Sequence, residues 1–182
     1  MEDEKRAFLK IAFTAPVAVP DEAKRIASLI AREGYDFVHI RKPDWDARKI
    51  VELIEAIPES LHCKLRLHDH FQLAETYNIA GVHLNSRNPI APPDMRITKS
   101  CHSLEELAEC EGCDYVTLSP VFDSISKPDY EARFAPDSLL KMKLKVKVIA
   151  LGGVSPGLFG VIKERGFHGA ALLGYLWPEL VN

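Results

Sequence analysis

Apolar, β-branched runs recur along this chain, and between them apolar residues return every three or four positions. The runs fall at residues 8–14, 37–40, 64–67, 81–84, 96–100, 115–118, 146–151 and 170–173, and they predict eight strands. Val148-Ile-Ala-Leu and Ala170-Ala-Leu-Leu are continuously apolar, as parallel strands covered on both faces are. The intervening segments read as amphipathic helices. Ile26, Leu29 and Ile30 mark one face, and Ile50, Leu53, Ile54 and Ile57 mark another that stops at Pro58. Ser103 and Glu106 form a capping box for the fifth helix, Asp21 and Asp137 fit N-caps, and Gly34 and Gly166 fit C′ positions.

Strands alternating with helices eight times predict a (β/α)8 barrel, with a doubly wound α/β sheet as the other arrangement of the same elements. The 182 residues are fewer than the roughly 250 of a typical barrel, so most helices must be short. Residues 174–182 are too few for a full eighth helix, which is expected to be truncated or absent. The flank beside strand eight then needs a cover, either the N-terminal segment or the partner in a homodimer. Two long connections, 85–95 and 119–135, each follow a strand, where barrels carry their chemistry.

Composition adds mainly exclusions. Hydrophobic residues at 47% and charged residues at 27% fit one globular domain spanning 1–182. A net charge of -3 argues against nucleic-acid binding, and no 18-residue apolar run predicts a membrane span. The charged N-terminus does not read as a signal peptide, so the cytoplasm is the expected location. Cys110-Glu-Gly-Cys113 lacks the second CxxC that a zinc site would use, and reduced structural thiols are the better reading.

The candidate chemistry lies at strand ends. Ser124, Ser126 and Lys127, on the loop after strand six, offer two hydroxyls and an ammonium to a phosphate or diphosphate. Gly152 and Gly153 end strand seven, where bare backbone N–H groups can approach a second anion. His68-Asp69-His70 has the spacing of a zinc or iron ligand pair, with packing beside the sheet as the alternative. Trp45 and Trp177 could stack on a ring, but core or dimer packing is the better reading of both.

These motifs, taken in order from Val38-His-Ile-Arg41 to Gly169-Ala-Ala-Leu-Leu-Gly174, resemble the thiamine phosphate synthase family and its TenI-type thiazole tautomerases. The most specific pieces are Asp114-Tyr, Pro120-Val-Phe, Ser124-x-Ser126-Lys127 and Ala150-Leu-Gly152-Gly153. The resemblance implies a barrel in which hydroxymethylpyrimidine diphosphate loses pyrophosphate and its methylene carbon is captured by a thiazole phosphate. It implies catalytic roles for Arg41, Ser100 and Lys127, with Arg41 holding the diphosphate and His39 near the pyrimidine. His68, Ser100, Ser124, Ser126, Lys127, Gly152, Gly153 and Gly174 would complete the binding set. Asp69 matches a Mg2+ ligand, whereas the second carboxylate position holds Asn88, beside Arg87. Lys42 follows Arg41 on the opposite face of the strand, so Arg41 is the stronger candidate. Partners are thus small phosphorylated pyrimidine and thiazole compounds, with Mg2+ as the expected cofactor. A tautomerase is the alternative, although Pro120 stands where that branch places its catalytic histidine, so that His39, His68, His83 or His102 would have to substitute. A non-catalytic protein that binds a thiamine precursor is the third reading.

Overall fold

The computed structural model describes residues 8–123 and 132–180. Every apolar run becomes a strand: β1 (Leu9–Phe13), β2 (Phe37–Ile40), β3 (Leu65–Leu67), β4 (Val82–Leu84), β5 (Ile97–Cys101), β6 (Tyr115–Leu118), β7 (Val148–Ala150) and β8 (Gly169–Leu172). They pair in parallel in sequence order, and β8 closes on β1 with Ile11 opposite Ala171. Closure excludes the open, doubly wound arrangement.

The helices are α1 (Glu22–Ala31), α2 (Ala47–Glu55), α3 (Leu73–Thr76), α4 (Leu104–Glu109) and α5 (Phe159–Glu164), with short 3-10 turns elsewhere. Ile26 and Leu29 of α1 and Ile50, Leu53 and Ile54 of α2 are buried against the strands' outer faces, as their spacing predicts. Capping differs in detail. Ser103 Oγ accepts from Glu106 N at 3.1 Å, but the Glu106 carboxylate reaches His102 N at 2.7 Å, one residue upstream of the capping-box partner. Asp21 caps nothing with its side chain and pairs with Lys24, whereas Asp46, not foreseen, caps α2 by accepting from Lys49 N at 2.9 Å. Asp137 pairs with Lys141.

After β8 the described chain forms only a 3-10 turn, Pro178–Leu180, in place of an eighth helix. The flank is covered from within. Trp177 is fully buried, its Nε1–H donates to the Phe13 carbonyl at 2.6 Å, and Arg25 lies over its ring at 4.3 Å. Among the described residues, no helix is long and apolar enough to cross a membrane.

The barrel interior is a second, smaller core of Ile11, Phe13, Tyr115, Ile149 and Ala171, threaded by polar side chains. Arg66 of β3 is fully buried. Its guanidinium donates to Asp114 at 2.6 Å and to the Ala80 carbonyl, and lies 4.6 Å from the Phe37 ring. Gly81 leaves room for it. At φ 142° that residue lies in glycine's region, and a Cβ would collide with the Arg96 carbonyl and the Arg66 guanidinium. A charge so placed needs its partner, because an unpaired buried ion costs several kcal/mol.

Candidate active site

Above the charged floor lies a stack of imidazoles. Alternation along β2 and β4 turns His39 and His83 inward, and β3 delivers His68 just past its end. Phe13 stacks on His39 at 4.6 Å between centroids, and His68 stacks on His83 at 4.1 Å. Burial, reinforced by the neighbouring rings and by Arg66, holds His39 well below the usual histidine range. The same burial, with Arg66 and Arg41 nearby, brings His83 down to about 3. His68 is likewise held well below, by burial first, then by the two other histidines and Arg41 and Arg87. All three are neutral at physiological pH.

Neutrality fixes the direction of their hydrogen bonds. Burial keeps the Tyr115 phenol protonated, its oxygen accepts from the Arg66 guanidinium, and its O–H is left for His39 Nε2 at 2.6 Å. Tyr115 therefore donates, which places the His39 proton on Nδ1, 2.9 Å from His68 Nε2. His68 is then left with its proton on Nδ1. In the same way the Thr98 hydroxyl, donating to the Val82 carbonyl, accepts from His83 Nδ1, and Ser100 donates to His83 Nε2 at 2.8 Å.

The ligating atoms of His39, His68 and His83 lie within 4.8 Å of one another. They do not make a good metal site. Imidazole lone pairs lie in the ring plane, and the His68 and His83 planes are only 19° apart in a stack, so their lone pairs cannot converge on one ion. The His68-x-His70 pair fails too: His70 has φ 54° and turns its Nε2 to the Trp45 carbonyl at 2.8 Å.

A cavity of about 610 Å³ opens above the imidazoles at the C-terminal ends of the strands. It is lined from all sides of the barrel, with Phe13, Arg41, His68, Ser100, Ser119 and Gly174 among its walls. Of the residues singled out in the sequence, Arg41, His68, Ser100, Gly152, Gly153 and Gly174 meet there. His39 does not: it is fully buried one level below, behind His68, and reaches the cavity only through that hydrogen bond. Ser124, Ser126 and Lys127 lie outside the described residues. Lys42 points to the outer face, fully buried against Glu22 at 2.6 and 2.7 Å.

The glycine pair has a backbone reason. Gly152 and Gly153 have φ of 92° and 64°, and Cβ atoms there would strike Pro120 and the Asp123 carbonyl. This left-handed turn puts bare backbone at the cavity wall. Lys99 and Glu106 also line the cavity and were not foreseen. His102, on the same wall, directs Nδ1 to the Ser119 carbonyl at 3.3 Å.

The expected Mg2+ position does not fit its residues. Asp69 is engaged by Arg87 Nη2, 3.2 Å from each carboxylate oxygen, and by Asn88 Nδ2 at 2.8 Å. Asn88 Nδ2 also donates to the His68 carbonyl at 3.1 Å. Two acceptors around one amide group identify it as the nitrogen, so Asn88 holds the carboxylate as a donor and turns no oxygen toward an ion beside it.

Comparison with known proteins agrees with this architecture. A solved thiamine phosphate pyrophosphorylase from Bacteroides thetaiotaomicron is 36% identical, with a TM-score of 0.81 over 94% of this chain and 85% of that one. A thiamine phosphate pyrophosphorylase from Pyrococcus furiosus, 19% identical, shares the fold with a TM-score of 0.74 over 96% of this chain and 95% of that one. The thiamine-phosphate synthase of Syntrophomonas wolfei is 28% identical over 157 residues, 79% of this chain and 75% of that protein. The family model described as thiamine monophosphate synthase matches residues 11–176, nearly the whole barrel, and the chain belongs to that family.

Proposed function

We propose that this protein is a thiamine phosphate synthase, joining hydroxymethylpyrimidine diphosphate to thiazole phosphate with release of pyrophosphate. One observation carries the reading: a single cavity is lined both by the cationic residues Arg41 and Arg87 and by the bare backbone of Gly152 and Gly153. Two anionic groups need two such cradles, and about 610 Å³ lies within the range of cavities that enclose small ligands.

The chemistry follows from charge. The bond between the methylene carbon and the diphosphate oxygen breaks, and its electron pair leaves with pyrophosphate. Arg41, lining the cavity, stabilises the negative charge that develops on the leaving group. The thiazole nitrogen then gives its lone pair to the methylene carbon. Between these events the pyrimidine carries positive charge, and the site must not repel it. Burial keeps His39, His68 and His83 uncharged, so the imidazoles beneath the cavity contribute polar contacts without a full positive charge. His68 offers its Nδ1–H to the pyrimidine, fixed in that tautomer by the Tyr115–His39 chain below.

Supplying both substrates tests the reading, with pyrophosphate release and product formation followed together. The tautomerase reading rests on the two cavity histidines, His68 and His102. It predicts proton exchange on the thiazole phosphate with no pyrimidine present, and that exchange is the distinguishing measurement.

A further inference from the structure

We propose that this chain binds the diphosphate group with Arg87 and Arg41 in place of a divalent cation, so that diphosphate binding is metal-independent. The inference rests on the synthase reading for the identity of the ligand, but on the Asp69 cluster for its content.

A magnesium ion needs oxygen ligands at about 2.0–2.1 Å in a near-octahedral arrangement. At Asp69 the approach between the two carboxylate oxygens is taken by a guanidinium nitrogen 3.2 Å from each. The neighbouring Asn88 presents an N–H rather than an oxygen, and Asn85 locks the turn that carries both residues. Its Oδ1 accepts from Arg87 N at 3.0 Å and Asn88 N at 3.2 Å, and its Nδ2 donates to the His68 carbonyl at 2.9 Å. The amide at position 88 and the arginine at position 87 therefore act together. One holds the carboxylate, and the other neutralises it.

Charge points the same way. Asp69, Arg41 and Arg87 sum to one positive charge without any metal, and a divalent cation among two guanidinium groups and one neutralised carboxylate would be repelled. Arg87 Nη2 is committed to Asp69, which leaves its Nη1 and Nε donors available to a ligand. Arg41 lines the same cavity and donates no side-chain hydrogen bond among the described residues. Two planar forks at one cavity edge match the oxygens of a diphosphate. Asp69 is then a positioning residue, holding Arg87 by its carboxylate.

The test titrates inorganic pyrophosphate into the full chain by calorimetry, once with EDTA and once with millimolar Mg2+. The expected result is binding in EDTA that Mg2+ does not strengthen. Arg87→Ala should weaken it at least about tenfold, as the loss of a charged hydrogen bond does, and Arg87→Lys should recover part of the loss. Asp69→Asn should cost less than Arg87→Ala, since it frees the guanidinium without removing it. Binding that requires Mg2+ and disappears in Asp69→Asn overturns the inference, and so does no binding in either buffer. A parallel turnover assay separates the two levels. Metal-free pyrophosphate binding with no coupling of the two substrates leaves this inference standing and removes the synthase reading. Coupling of the two substrates together with pyrophosphate binding that requires Mg2+ does the reverse.

Discussion

Acidification should unfold this barrel from its centre, because three histidines are buried there uncharged. In the unfolded chain each titrates near 6.5, whereas His83 in the folded state is brought down to about 3 and His39 and His68 lie well below their usual value. A base whose folded pKa is depressed contributes stability that is present above pH 6.5 and lost as pH falls through that value toward the folded pKa, since the unfolded chain then binds more protons. Between pH 7 and pH 5, His83 should cost roughly 2 kcal/mol, and His39 and His68 act in the same direction. The His83 share alone is a large part of the stability of a typical domain, about 5–15 kcal/mol. The assay is urea unfolding at the two pH values for the native chain and for His83→Asn. Burial raises the pKa of the Glu22 carboxyl, which works in the opposite direction but is common to both proteins and cancels in the comparison. The variant should show a pH dependence smaller by roughly 2 kcal/mol, whatever its stability at pH 7. An unchanged pH dependence in His83→Asn would refute the claim that His83 is held neutral.

Other perturbations act on separate parts of the barrel. Trp177→Ala removes the buried ring that covers the β8 flank and should lower unfolding stability by about 3–5 kcal/mol, read as a shift in the urea midpoint at constant slope. Asp114→Asn strips the carboxylate from buried Arg66. With Asp114 itself partly exposed, the loss should be about 2–4 kcal/mol, and Arg66→Met in the same chain should recover part of it on urea unfolding. Gly153→Ala forces a side chain into a left-handed position against the Asp123 carbonyl. It should cost about 1–3 kcal/mol and weaken binding of thiazole phosphate by calorimetry, while pyrophosphate binding at Arg41 is spared.

The strands were legible because burial on both faces writes itself as unbroken apolar runs such as Val148-Ile-Ala and Gly169-Ala-Ala-Leu. The period of two also separated Arg41, on the cavity side, from Lys42, which pairs with Glu22 outside the barrel. Height along the barrel axis was not legible. Alternation says that His39 points inward, but strand tilt and stagger decide that it stops below the cavity while His68 reaches it. Tyr115 and Arg66 were missed as site support for the same reason: each reads as an ordinary strand residue until closure brings β3 and β6 across the interior. The fate of Asp69 could not be foreseen either, since its two partners come from the turn after β4, whose path is set by Asn85. Trp177 is core, as one of its two sequence readings has it, but only closure reveals its partner, the Phe13 carbonyl at the end of β1.

Coupling of the two substrates in this cavity is open to direct test. The most direct measurement is pyrophosphate released on mixing hydroxymethylpyrimidine diphosphate and thiazole phosphate, counted against thiamine phosphate formed. The expected result is one pyrophosphate per coupled product, dependence on both substrates, and loss in Arg41→Ala with the fold intact. No release at saturating concentrations of both, with thiazole phosphate bound, would contradict it.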